Sequence, residues 1–73
     1  MNFGQALEML KLGSKATREN WNGKRMWISL QVPDAGSKMS RPYLYMKAVN
    51  DELVPWVASQ TDLLAEDWLI ALD

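Results

Sequence analysis

The 73-residue chain contains no cysteine and no histidine. Their joint absence excludes disulfides, thiolate nucleophiles, ordinary imidazole bases and the commonest metal ligands together. An excess of charge is also missing. Eight basic and nine acidic residues leave a net charge of −1, and Lys and Arg are scattered rather than gathered into the basic stripe of a duplex-binding domain. No stretch is apolar enough to span a membrane, and the start lacks a signal peptide's cationic and apolar segments. The four glycines, Gly4, Gly13, Gly23 and Gly36, are too dispersed for a phosphate-cradling fingerprint. Ser29 and Ser59 have no evident activating base. The expectation is a non-enzymatic protein with neither cofactor nor metal, and the missing cysteine fits a reducing cytoplasm.

What the chain does have is apolar bulk in few hands: five Met and four Trp. Residues 1–73 form a single domain by length. A domain this small buries only about 60% of the surface that its unfolded chain exposes. Without disulfide or metal, association of subunits is the expected supplement.

Asn2 and Gln5 make a capping-box-like pair, Phe3, Ala6, Leu7 and Leu10 recur at helical spacing, and Gly13 stands where a helix stops. The spacing predicts an amphipathic helix over Phe3 to Leu12, which needs a sheet to cover its apolar stripe. Ala16 to Glu19 reads as a short edge strand, and Asn22-Gly23 as a tight turn. Met26 to Val32 alternates, with Met26, Ile28, Leu30 and Val32 on one side. Residues 33–42 form a Pro-, Gly- and Ser-rich loop. Tyr43 to Val49 is the next strand, with Leu44, Met46 and Ala48 inward. Pro55 makes Leu53 to Val57 an edge or the end of a strand. Ser59 or Thr61 caps a helical turn through Ala65, and Trp68 to Leu72 closes as a strand. The fold class is α+β: an N-terminal amphipathic helix packed on a small antiparallel sheet, with a short helical turn before the last strand.

Two aromatic neighbourhoods admit two roles each. Trp21 lies in the polar stretch Arg18-Glu19-Asn20-Trp21-Asn22-Gly23. There an indole face with a nearby Arg and Asn suits a nucleotide base, and equally the ring folds over the helix to seal the core. Trp56 is followed by Ser59-Gln60-Thr61-Asp62, where N–H groups and hydroxyls at a helical start suit phosphate or ribose oxygens. The plain alternative is a capping box between Ser59 and Asp62. Glu66 and Asp67 read as the solvated end of a turn, and Trp68 as core.

Three stretches, "MNFGQALEMLKLG", "TRENWNGKRMWISL" and "YLYMKAVNDELVPWVASQTDLLAEDW", together resemble the second type of Thoeris anti-defense protein of bacteriophages and prophages. The most specific parts are the "WNGK" turn and the end from Pro55 to Trp68. The resemblance implies a sponge that sequesters a cyclic ADP-ribose-type messenger, glycocyclic ADP-ribose, without degrading it, so that the Thoeris effector is never activated. It implies a homotetramer, a dimer of dimers with pockets between subunits, in the cytoplasm of the bacterial host. By the same resemblance Asn20 and Trp21 contact a base, Arg18 a phosphate, and Ser59, Gln60, Thr61 and Asp62 ribose and phosphate, with Trp56 beside them. A single-stranded nucleic-acid-binding module, using Trp21, Trp27 and Lys or Arg, and a purely structural phage subunit are the alternatives.

Overall fold

The computed structural model describes residues 1–21 and 25–72. The element order is α1 (Phe3–Lys11), β1 (Lys15–Arg18), β2 (Trp27–Gln31), β3 (Tyr43–Lys47), β4 (Leu53–Pro55), α2 (Gln60–Leu64) and β5 (Trp68–Ala71). The expected α+β architecture is present. The Asn22-Gly23 turn lies outside the described residues.

The first helix is fixed at both ends by its own sequence. The Gln5 N–H donates to Asn2 Oδ1 at 2.8 Å and the Asn2 N–H to Gln5 Oε1 at 3.0 Å, a complete capping box. At the other end Gly13 takes φ +100°. The Gly13 N–H donates to the Leu10 carbonyl and the Ser14 N–H to the Met9 carbonyl, both at 3.0 Å. That pair of bonds is a Schellman stop, and the glycine supplies the conformation that it requires.

All strand pairs are antiparallel, in the order β4-β3-β2-β1-β5. The expectation of an edge position for β1 is therefore corrected. This strand is interior, with Ala16 opposite both Ile28 of β2 and Ile70 of β5. The proline-bearing β4 is an edge, as expected from the ladder donor that proline lacks. Val32, read from alternation as inward, is 63% exposed, because β2 ends at Gln31 ahead of Pro33.

Register sorts the side chains into two faces. Ala16, Ile28, Met46 and Val54 form one row, opposite one another across neighbouring strands. Helix α1 lies over β1, β5 and β2 on this side. The fully buried residues are Ala6, Leu10, Ala16, Ile28 and Trp68. Ala6 and Ala16 are small, so helix and sheet approach closely; Trp68 fills the space beyond them. Its ring centroid lies 5.2 Å from Phe3, 5.3 Å from Trp21 and 6.0 Å from Trp56. Tilted and edge-on contacts of this kind contribute about 0.5–1.5 kcal/mol each beyond burial. The opposite face carries Trp27, Tyr45 and Lys47, and the element contacts place neither helix over it.

Candidate functional site

Arg18 ends β1 two residues after Ala16, so period-two alternation puts both on the helix-covered face. Its guanidinium divides between two carboxylates. Nη1 donates to Asp62 Oδ1 and Nε to Asp67 Oδ1, each at 2.8 Å, and Nη2 reaches Asp67 Oδ2 at 3.5 Å. Side-chain exposure is 10% for Arg18, 14% for Asp62 and 25% for Asp67, so solvent screens these pairs less than ordinary surface ion pairs.

The polar groups around them converge. The Trp21 indole N–H donates to Asp62 Oδ1 at 3.2 Å while the ring meets Trp68 edge-on at 79°. The Trp68 N–H donates to the Asp62 backbone carbonyl at 2.9 Å. The Asn20 backbone N–H donates to Asp67 Oδ2 at 3.0 Å. Ser59 caps α2, accepting from the Asp62 N–H at 3.0 Å, as the spacing suggests, and the same aspartate serves Arg18 and Trp21.

Both carboxyls titrate below the ordinary aspartate range. For Asp62, burial pushes upward, and the hydrogen bonds from Arg18, Trp21 and Ser59 outweigh it. For Asp67 the Arg18 hydrogen bond dominates, against a smaller desolvation penalty. Arg18 is correspondingly held protonated, first by Asp67 and then by Asp62. A carboxyl whose pKa is lowered is a weaker proton acceptor, which disfavours general-base work by this cluster. Among the described residues no buried polar side-chain atom lacks a partner, and no group of three metal-ligating residues comes together.

Of the residues singled out in sequence, the fold joins Arg18, Trp21 and Asp62 directly. Ser59 joins them through its cap, and Asn20 through its backbone. Trp56 stands apart from this ion cluster, against Phe3 at 5.8 Å and Trp68. Its other side lines a groove of about 510 Å³ beside Arg41, Pro42 and Tyr43. Gln60 and Thr61 are exposed on the first turn of α2.

Residues 1–71 match the model of the Thoeris anti-defense 2-like domain. The chain belongs to the Thoeris anti-defense 2-like family. Thoeris anti-defense 2 of Bacillus phage SP01 is similar to it at 40% identity over 81 aligned positions, covering 93% of this chain and 91% of the phage protein.

In this Thoeris anti-defense 2-like chain, local sequence places Asp67 at the solvated end of a turn. It is instead the main partner of Arg18. The available signal was its placement one residue before the buried Trp68, which fixes the direction of its neighbours. Tyr43, by its sequence only a strand residue, borders three adjoining concavities. No helix among the described residues is long and apolar enough to cross a membrane.

Proposed function

We propose that this chain opposes Thoeris defence by binding a cyclic ADP-ribose-type messenger, glycocyclic ADP-ribose, and holding it unaltered in the cytoplasm of the bacterial host. The observation that carries this reading is the near full-length match to a phage protein named for anti-Thoeris activity. The side-chain inventory agrees, because it offers neither thiolate nor imidazole. In this reading the chain works as a homotetramer, a dimer of dimers with pockets between subunits. Asn20, Ser59, Gln60 and Thr61 present polar groups at the solvent-facing rim. Trp21 and Trp56 supply ring surface, while Arg18 and Asp62 hold Trp21 in place as well as offering charge to ribose or phosphate.

The test is recovery of ligand. Protein incubated with the messenger, separated from free ligand and then heated should release it with its mass unchanged. Hydrolysed product accumulating faster than in a protein-free control would overturn the proposal.

A second reading, single-stranded nucleic-acid binding, draws on the helix-free face, where Lys15 Nζ stands 4.4 Å over the Trp27 ring and Tyr45 meets Trp27 at 6.0 Å. Binding of that kind falls steeply with salt, which a compact nucleotide pocket shows far less.

A further inference from the structure

We infer that Asp67 is a positioning residue of the proposed nucleotide site: it holds the segment bearing Asn20 and Trp21 where the messenger meets it, without touching the messenger itself. This inference rests on the sequestration reading and names what keeps one half of that site in place.

The β1–β5 ladder ends with the pair Arg18 and Trp68. Residues 19–21 and residue 67 are the first beyond it, where a chain leaving a sheet needs new partners for its backbone groups. Asp67 supplies them. Its backbone carbonyl accepts from the Glu19 N–H at 3.1 Å. Its Oδ2 accepts from the Asn20 N–H at 3.0 Å and its Oδ1 from Arg18 Nε at 2.8 Å. One residue thus grips three successive residues of the segment. The Trp21 N–H then donates to the Arg18 carbonyl at 3.2 Å, which turns the chain back and sets the indole edge-on against Trp68.

The proposed site has two halves, Asn20 and Trp21 after β1, and Ser59 to Asp62 at the start of α2. Arg18 spans them, with Nη1 on Asp62 and Nε on Asp67, both at 2.8 Å. Asp62 fixes the indole N–H and one arm of the guanidinium. The backbone of Asn20, an exposed residue, is held by Asp67.

A carboxylate serving only to neutralise Arg18 would have no need of the Asn20 backbone, and Asp62 already faces the guanidinium. Nor is Asp67 suited to direct contact with the messenger. Both its oxygens are turned to protein donors, and an ionised carboxylate repels a pyrophosphate. Its value lies in order set before the ligand arrives. Immobilising side chains on binding opposes association, and a segment held beforehand by charge-assisted bonds avoids that loss.

The experiment measures affinity for glycocyclic ADP-ribose by calorimetry, with melting curves to check that each variant is folded. Asp67→Ala should weaken binding about fivefold or more. Asp67→Asn, the same size without the charge, should weaken it about threefold and keeps the test open should the alanine variant not fold. In a Trp21→Ala background the same change should cost only about twofold, because the ring that Asp67 positions is gone. Gly13→Ala, which strains the end of α1 outside the site, should leave affinity within about twofold, separating lost stability from lost position. In the ligand-free ¹⁵N-labelled chain, the Trp21 indole N–H resonance should move in Asp67→Ala. Unchanged affinity in the Asp67 variants, an unmoved indole resonance, or equal weakening with and without Trp21 overturns the assignment and leaves sequestration standing. So does a loss of affinity in Gly13→Ala as large as in Asp67→Ala. An unaltered chain that binds no messenger overturns both.

Discussion

Trp21 is half-buried, and that sets what its removal does. Its ring packs on Trp68 and its N–H holds Asp62. Trp21→Ala should therefore cost about 2–3 kcal/mol of stability in chemical denaturation, below the 3–5 kcal/mol of a fully buried indole. Trp21→Phe keeps the edge contact and loses one donor, so about 1 kcal/mol is expected. A stability unchanged in Trp21→Ala would mean that the indole acts on ligand alone. The ion cluster makes its own prediction in acid. Asp62 and Asp67 titrate lower when folded than the unfolded value of about 3.9. Between those values the unfolded chain binds more protons, so stability rises with pH there. It should be complete above about pH 5 and be lost as pH falls through the folded values. Asp67→Asn should make this acid limb shallower in thermal melts; an identical limb would show that Asp67 carries none of it. At this scale the sequence was legible where a residue answers to its neighbours: Trp68 heads an alternating run and is core. It was not legible for Arg18, whose partners stand 44 and 49 residues away. No local pattern encodes a pairing of that span.

Helix ends show the same rule for elements. Capping boxes and glycine stops are written within five residues, and α1 starts and ends where its signals are. Gly13→Ala is a clean test, because an added Cβ meets nothing within 4 Å and only the positive φ is opposed. The expected loss is about 1–2 kcal/mol, measured as a lowered melting point. No change would mean that the stop survives a shift of the backbone. Strand position was harder to read than strand existence. β1 is short and carries Lys15, Thr17 and Arg18, which looks like an edge. What seats it in the middle is Ala16, whose small side chain admits α1, together with a partner strand supplied from the far end of the chain. The polar residues are tolerated there because Arg18 finds its acids and because Thr17 donates its hydroxyl to the Met26 carbonyl at 2.7 Å.

For the molecule as a whole, the uncovered sheet face is the feature that bears on assembly. Leu53 is 63% and Leu69 45% exposed, and both belong by register to the face with Trp27 and Tyr45. Both sheet edges, β4 and β5, also end the ladder. Such surface in so small a domain favours symmetric self-association. Light scattering at micromolar protein should give a mass of four chains; a single-chain mass contradicts the tetramer. Composition hinted at this need, but only register shows which face is left bare. The same strand order also governs time. β1 lies between β2 and β5, so the sheet is finished only when a strand close to one end of the sequence meets one close to the other. Hairpins among β2, β3 and β4 close short loops and form fast, whereas joining Arg18 to Trp68 closes a long one and loses more chain entropy. Trp68, the residue around which the other aromatics gather, is therefore expected to be buried late. A refolding chain should gain most of its sheet before its indole fluorescence reaches the native signal.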